Sequence, residues 1–312
     1  MNRTSRLLPN RAVRAAVRLA VTALALSLII PAPMASAAPT ASLVRVIRTF
    51  DWVNPSPDPT GLAYLPSKRA LVVVDSEVEE TPHFEGKNIW FTRLRGGVIK
   101  AFDTLSYSAE PTDVAIGGVG NAMFVSDDSM DRVFWVRKGP DGAFGTGDDV
   151  VASFSTRLFN SHDPAGLGFG AKSLWITDGD NETSKQRVYR IRRGPNKVFD
   201  GVAPAGDDIV KSFGTENLGL RRPSDVAYDP ETGHLFIVSA LDDFIVETTL
   251  RGSLVTSWDM SATNIQFPAG ITLAPASNDS GTINVYVADR GLDNDSFPNE
   301  NDGRIYEFKL TT

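Results

Sequence analysis

The pattern of apolar and polar positions repeats five times along the chain. Each repeat begins with a proline, followed two residues later by Gly or Asp, an apolar residue and a small residue. A short run of β-branched or aromatic residues then ends in an acid or a serine. The prolines are spaced by 52, 53, 59 and 45 residues and are Pro59, Pro111, Pro164, Pro223 and Pro268. Periods of this length are typical of propeller blades rather than solenoid coils.

Each repeat contains enough apolar runs for four short strands. In the second repeat these runs are 114–116, 123–126, 133–137 and 150–154. They are rich in the β-branched and aromatic residues that suit a pleated, half-buried surface, and clusters of Gly and Asp separate them as turns require. The pattern therefore predicts an all-β protein, a β-propeller of four-stranded blades.

The two ends of the repeat region complement each other. Residues 43–52 read as a fourth strand with no blade before it, and residues 304–309 read as a third strand with no fourth after it. Pairing them in one blade would close the ring and remove the exposed edges of an open sheet. This gives five blades; a sixth, degenerate blade is the alternative, although its proline phrase is absent.

The N-terminus has the pattern of an export signal. Five arginines precede a mostly apolar run, 19–30, and Ala35-Ser36-Ala37 offers a small-x-small cleavage site. The apolar run is short, since a membrane span needs roughly 20 residues. We expect residues 1–37 to be a signal peptide and residues 38–312 to be one secreted propeller domain. We expect this domain to be a monomer with no membrane insertion after cleavage.

The charge balance narrows the class of partner. Removal of residues 1–37 takes away five of 31 basic side chains and none of 38 acidic ones, which leaves a net charge near −12. Nucleic acids and anionic membranes require a basic surface, so neither is expected as a partner. The chain has no cysteine, so no disulfide supports the fold.

The repeated phrase, Pro-x-Gly/Asp-apolar-Ala followed by an aromatic-Val-x-Asp strand, resembles the NHL-repeat propellers. The resemblance covers most of residues 42–312 and implies the fold, but it leaves the activity open because such propellers have many functions. The SMP-30/gluconolactonase propellers share the rhythm more distantly. In that family a metal-binding asparagine follows the proline, whereas here Ala269 follows Pro268.

The predicted loops differ in charge between the two faces of the ring. Propeller geometry places the fourth-to-first and second-to-third loops on one face. The second-to-third loops hold eighteen of the 38 acids. These are Asp75, Glu77, Glu79, Glu80, Glu85, Asp127, Asp128, Asp131, Asp178, Asp180, Glu182, Asp242, Asp243, Asp289, Asp293, Asp295, Glu300 and Asp302. The third-to-fourth turns, on the other face, carry Arg95, Arg137, Arg192, Arg193 and Arg251.

Two acidic segments are candidate metal sites. Oxygen ligands in loops rich in Gly and Asn suit Ca²⁺ better than a transition metal. The first candidate is a Ca²⁺ site in the last second-to-third loop, formed by Asp289, Asp293, Asp295, Asn299, Asn301 and Asp302. The second is the Gly- and Asp-rich turn 139–149, which is echoed by 194–208. The alternative for both is an ordinary solvated turn.

Candidate catalytic residues are few. There is no cysteine and no Gly-x-Ser-x-Gly motif for a nucleophile, and there are only three histidines. His162 comes just before the third repeat, so we expect it near the mouth of the channel as a general base. Asp113 and Asp225 should lie near the same mouth. The alternative for His162 is an ordinary loop histidine.

Two functions from different classes remain. The first is a secreted, calcium-stabilised binding protein, with a protein, glycan or small-molecule ligand on the acidic loop face. The second is a metal-assisted hydrolase of an ester, lactone or phosphoester, with its site at the channel mouth. The sequence alone names neither the ligand nor the substrate.

Overall fold

The computed structural model describes residues 39–118, 120–179, 186–278 and 281–311. The predicted signal peptide lies outside the described residues. Within them, no helix is long and apolar enough to cross a membrane. The described residues form twenty strands. In chain order these are β1 (Thr40–Arg48), β2 (Pro59–Leu65), β3 (Ala70–Asp75), β4 (Ile89–Arg93), β5 (Val98–Phe102), β6 (Asp113–Gly117), β7 (Ala122–Asp127), β8 (Arg132–Arg137), β9 (Val150–Ser155), β10 (Pro164–Gly170), β11 (Ser173–Asp178), β12 (Arg187–Arg192), β13 (Ile209–Gly214), β14 (Pro223–Tyr228), β15 (Leu235–Ser239), β16 (Asp242–Thr248), β17 (Leu254–Asp259), β18 (Pro268–Pro275), β19 (Ile283–Asp289) and β20 (Arg304–Thr311).

The strands form five four-stranded antiparallel sheets, which are the five blades of a propeller. Blades 1 to 4 are β2–β5, β6–β9, β10–β13 and β14–β17, and blade 5 has the order β18-β19-β20-β1. The prediction of five blades is confirmed. The strands of blade 2 match the predicted runs to within a residue at each end, because the apolar runs and the Gly and Asp turns both fix them.

The N-terminal strand closes the ring, as predicted. β1 pairs antiparallel with β20, from Thr40 opposite Thr311 to Arg48 opposite Arg304. The strand starts earlier than predicted and ends at Arg48, because Thr49–Asp51 form a 3₁₀ turn that leads towards blade 1. The Thr49 hydroxyl fixes this turn by donating to the Ser56 carbonyl at 2.6 Å.

The core lies between blades. Every blade packs between two others, so the second strand of a blade is covered on both faces. Accordingly, every residue of β3, β7, β11 and β15 is buried. The outer strands β5, β9, β13 and β17 have mostly exposed or half-buried residues. Burial on both faces explains why the second strands read as unbroken apolar runs in the sequence.

Strand reversal sorts the loops onto two faces. The mouth face carries the loops before the inner strands and the second-to-third loops. Thr112 and Asp163 belong to the loops before inner strands, and Asp128 and Arg290 belong to second-to-third loops. All four line one well. The turn face carries the first-to-second and third-to-fourth turns, which meet where Lys68 and Lys138 line one cavity. Arg95, Arg137, Arg192, Arg193 and Arg251 therefore belong to the turn face. The acidic hairpins 139–149 and 194–208 share that face, so it is less basic than its arginines indicate.

Candidate functional site

A layer of alternating Gly and Asp narrows the central channel. The five inner strands place Gly61, Asp113, Gly166, Asp225 and Gly270 at equivalent positions. A Cβ on Gly61 would lie 2.1 Å from Oδ1 of Asp113, and one on Gly166 would lie 2.4 Å from the Cα of Asp225. The glycines thus leave the space that the two aspartates occupy.

The two aspartates form a buried pair. Both are fully buried. Oδ2 of Asp113 accepts the backbone N–H of Leu167, and Oδ2 of Asp225 accepts that of Ile271 at 2.6 Å. Each carboxyl group therefore joins its blade to the next one around the ring. The two residues meet in the channel, at a layer below the lining of the mouth.

The surroundings of these two carboxyl groups favour their protonated form. Burial, the charge of Asp225 and a hydrogen bond with it raise the pKa of Asp113 well above its ordinary value. Burial also raises the pKa of Asp225 to about 7, although hydrogen bonds from Asp113 and the backbone act against it. Oδ1 of Asp113 has no donor among the described groups. Two buried carboxyl groups in contact cannot both ionise at low cost, so the pair retains a proton to a higher pH than either group alone.

This pair should make stability depend on pH. In the unfolded chain both carboxyl groups ionise near pH 4, whereas in the fold Asp225 holds its proton up to about pH 7. The folded state binds more protons in this window, so the pair's stabilisation is complete below pH 4 and is lost as the pH rises through 7. Each retained proton gives a slope of about 1.4 kcal/mol per pH unit.

Asp225→Asn should flatten this slope, because an amide donates to Asp113 without titrating. The measurement is urea unfolding of wild type and variant from pH 4 to pH 8, with the exposed Asp243→Asn as control. Parallel curves for wild type and Asp225→Asn would show that the pair holds no proton.

Above the pair, the channel opens into a small well on the mouth face. The well has a volume of about 50 Å³, room for one functional group rather than a whole molecule. Its rim includes Asp128, Asp163, Arg222, Phe267 and Arg290. The guanidinium carbons of Arg222 and Arg290 lie 5.7 and 5.2 Å from the centre of the Phe267 ring. Cation–π contact of this kind holds an aromatic ring and a cation together at the opening.

Arg290 is the cation of an acidic cluster that joins the last blade to the first. Its side chain is only 12% exposed. It donates to both oxygens of Asp58, at 2.7 and 3.0 Å, to Glu77, and lies 3.6 Å from Asp293. Burial raises the pKa of Glu77 to about 8, although the guanidinium acts in the opposite direction. A side chain of the protein therefore neutralises carboxylates that would otherwise repel one another.

Many of the eighteen acids in the second-to-third loops have structural roles. Of the eighteen, six are buried, five are half-buried and five are exposed, and Asp180 and Glu182 lie outside the described residues. Five of the six buried acids accept hydrogen bonds from the loop that leads into their blade, and the sixth, Asp131, pairs with Arg157 of the loop into the next blade. Asp75 accepts the Ser56 hydroxyl at 2.8 Å and the Asp58 N–H at 2.9 Å, and Asp127 accepts the Ser108 hydroxyl at 2.7 Å. The mouth face therefore presents fewer carboxylates to solvent than its composition indicates.

The six residues of the predicted calcium loop make contacts with several different partners. Oδ1 of Asp289, which is buried, accepts the N–H groups of Gln266, Phe267 and Gly291. Asp293 belongs to the Arg290 cluster, and Asp295 and Asn299 are exposed. Asn301 donates to the Phe50 carbonyl at 3.5 Å, and Asp302 accepts the Leu292 N–H at 3.2 Å. Calcium at this loop stays a prediction.

The described part of the chain contains two clusters of three carboxylate side chains. One group is Asp58, Glu77 and Asp293, and the other is Asp200, Asp207 and Asp208. Within each group the nearest oxygens all lie within 4.8 Å of one another. Of the six predicted calcium ligands, only Asp293 belongs to either group.

Among the described groups, no hydrogen bond joins His162 to Asp113 or Asp225. Its backbone N–H donates to Asp178 at 3.0 Å and its side chain is half-buried. The next residue, Asp163, lines the well instead. The candidate catalytic residues are thus a buried pair and a separate loop histidine, and their role in catalysis stays a prediction.

Sequence reasoning missed Arg222, Arg290 and Phe267. The signal was present, since Arg222 precedes the proline of the fourth repeat, Phe267 precedes that of the fifth, and Arg290 follows the acid that ends β19. These positions belong to the two loop types that geometry places at the mouth.

The fold and this channel define the class of the protein: a five-bladed β-propeller. No family model and no curated protein matches the chain. Among solved structures it is similar to Myxococcus xanthus glutaminyl cyclase, with a TM-score of 0.52, 11% identity, and 88% of this chain and 97% of that chain covered. It is also similar to a luciferin-regenerating enzyme, with a TM-score of 0.50, 11% identity, and coverage of 87% and 95%. Both are β-propellers, and at this identity the likeness shows the fold alone.

Proposed function

We propose that the chain is an exported binding protein whose protein partner inserts one side chain into the well on the mouth face. The N-terminal pattern of residues 1–37 supports export. The observation that carries binding rather than catalysis is the burial of Asp113 and Asp225. Their oxygens accept backbone N–H groups of neighbouring blades and face each other, so they complete the fold beneath the well.

The composition of the rim supports a protein partner. Arginine and aromatic residues are the types that dominate binding energy at protein interfaces. Arg222 is exposed beside the Phe267 ring, so an incoming carboxylate and an adjacent apolar group meet a cation and an aromatic face together. Asp128 and Asp163 on the same rim favour a partner that also presents a donor.

The other end of the channel fits this role less well. It holds a cavity of about 340 Å³ whose walls include Tyr64, Phe169, Tyr228 and Leu273. None of the described residues that line it is charged. Such a cavity offers apolar burial but little to fix the orientation of a ligand, and polar groups supply that specificity in binding sites.

A defined peptide library tests the proposal. Selection of phage-displayed random peptides on the purified propeller should enrich sequences with an acidic residue next to an apolar one. Arg222→Ala should weaken the selected peptides by about tenfold or more, as expected at a central interface residue. Arg251→Ala, an arginine of the turn face, should leave their affinity unchanged. Peptides that bind wild type and Arg222→Ala equally would place recognition elsewhere.

The alternative is a metal-assisted hydrolase, and one observation favours it. Asp225, with a pKa of about 7, is poised to exchange a proton near neutral pH, which is what a general acid or base needs. A hydrolase would turn over members of an ester, lactone and phosphoester panel, and would lose that turnover in EDTA and in Asp225→Asn. The binding proposal expects no turnover under any of these conditions.

A further inference from the structure

We propose that the hairpin between β12 and β13 in blade 3 is a calcium site, with Asp200, Asp207 and Asp208 as its carboxylate ligands. This hairpin lies on the turn face, away from the well, so the inference is independent of the proposed binding function. One oxygen from each of the three carboxylates lies within 4.8 Å of the others. That spacing suits ligands that share one cation.

The second observation is a buried oxygen without a donor. Asp208 is 7% exposed. Its Oδ2 accepts the N–H groups of Asp200 and Gly201, at 3.0 and 2.8 Å, which fixes the carboxylate against the hairpin. Its Oδ1 is buried and has no hydrogen-bond partner among the described groups, and the same holds for Oδ1 of Asp207. Burial of a carboxylate oxygen without a hydrogen-bond donor costs free energy, and a bound cation would supply the counter-charge that reduces this cost.

The other group of three close carboxylates, on the mouth face, is paired with an arginine. There, Asp58, Glu77 and Asp293 surround the guanidinium of Arg290. For Asp200, Asp207 and Asp208, no ion pair within 4.0 Å to a described Lys or Arg exists. The nearby Arg193 instead stacks on Phe199 and donates to the Lys197 carbonyl. No described Lys or Arg therefore pairs with these three carboxylates, whereas Arg290 pairs with the other group.

Blade 2 contains the same hairpin in a form that lacks the third ligand. Asp149 accepts the N–H groups of Gly145 and Thr146 just as Asp208 accepts those of Asp200 and Gly201. Asp148 accepts the Asp141 N–H as Asp207 accepts that of Asn196. The Thr146 hydroxyl, however, donates to Oδ1 of Asp148 at 2.7 Å, whereas Oδ1 of Asp207 has no such donor.

This difference assigns the site to blade 3. Asp200 follows Phe199, the buried aromatic that corresponds to Phe144, at the position where blade 2 has Gly145. The longer blade 3 hairpin thus adds a carboxylate and omits the hydroxyl that satisfies its counterpart. Three carboxylates with backbone carbonyls and water make an oxygen-only shell in a Gly-rich turn, which suits Ca²⁺ better than Mg²⁺ or a transition metal.

Calcium binding to matched variants tests the site. Equilibrium dialysis with ⁴⁵Ca²⁺ at neutral pH should show that the pair Asp207→Asn and Asp208→Asn binds one calcium fewer per chain than wild type. The corresponding blade 2 pair, Asp148→Asn and Asp149→Asn, should bind as many as wild type. Magnesium in tenfold excess should displace little of the bound calcium. Equal binding by wild type and the blade 3 pair would overturn the proposal, and so would an equal loss in the blade 2 pair.

A measurement on the unmodified protein keeps the test decisive if the variant fails to fold. Hydrogen exchange of the wild type should slow in residues 194–208 when millimolar calcium replaces EDTA. Exchange in residues 139–149 should stay the same, because that hairpin lacks the third carboxylate. Exchange that is unchanged in both hairpins would overturn the site.

Discussion

Removal of residues 39–48 should yield a protein that aggregates or unfolds without a sharp transition. These residues contain β1, whose pairing with the whole of β20 closes the ring. Without β1, the backbone groups of residues 304–311 form an unpaired edge next to a buried sheet, and such edges pair with other chains. Size-exclusion chromatography and thermal unfolding of the 49–312 chain, compared with the 39–312 chain, measure the effect.

A side-chain variant separates strand pairing from side-chain packing. Leu43 is 48% exposed, so Leu43→Ala in the 39–312 chain should remain monomeric with nearly the same melting temperature. A shortened chain that stays monomeric and melts like the 39–312 chain would contradict the role of β1 in closing the ring.

Arg290→Ala should destabilise the fold by about 3–5 kcal/mol, the cost of breaking a buried ion pair from one side. The substitution leaves Asp58 fully buried with no guanidinium beside it. It also removes one link between blades 5 and 1, since Arg290 and Asp58 are 232 residues apart in the chain. Chemical denaturation at neutral pH measures the free energy of unfolding.

Arg221→Ala is the matched control for this experiment. Arg221 also pairs with an aspartate on the mouth face, Asp242 at 2.7 Å, but its side chain is 68% exposed. Asp242 is buried, but in the variant it keeps the backbone N–H of residue 221 and the Ser239 hydroxyl as donors. Because the lost guanidinium is mostly in solvent, its pairing contributes about 0–1 kcal/mol, so this variant should lose little stability. If Arg290→Ala lost no more than Arg221→Ala, the cluster would not be a structural link.

The architecture could be predicted because each blade repeats one local phrase. The proline and the Gly or Asp after it mark the inner strand, and the buried second strand reads as an apolar run. The same alignment of repeats placed Asp113 and Asp225 at the channel, since they alternate with Gly61, Gly166 and Gly270. Their burial and pairing depend on side chains that meet across the ring, which no local pattern reports.

The candidate sites were harder to predict because they depend on loop conformation. A carboxylate at the end of a second strand, such as Asp75 or Asp289, reads as a solvent-facing acid in the sequence. In the fold it is buried and accepts backbone N–H groups from the preceding loop. The position of Arg290 among three carboxylates joins segments from opposite ends of the chain, so no spacing in the sequence reveals it.

The blade 3 hairpin shows a different limit of prediction from the sequence. Its likeness to the blade 2 hairpin was visible in the sequence, and both were considered as metal sites. The sequence shows the extra Asp200 of blade 3, but only the hydrogen bonds separate Asp148 from Asp207, because the Thr146 hydroxyl donates to Asp148 while Oδ1 of Asp207 has no donor among the described groups.

The affinity of a library-selected peptide for Arg222→Ala and for Asp225→Asn tests the central claim most directly. Arg222 lies on the rim of the well, and Asp225 lies buried beneath it. If the well binds a partner and the aspartate pair completes the fold, Arg222→Ala should lose affinity by about tenfold or more while Asp225→Asn keeps that of the wild type. Retained affinity in Arg222→Ala together with lost affinity in Asp225→Asn would contradict this account.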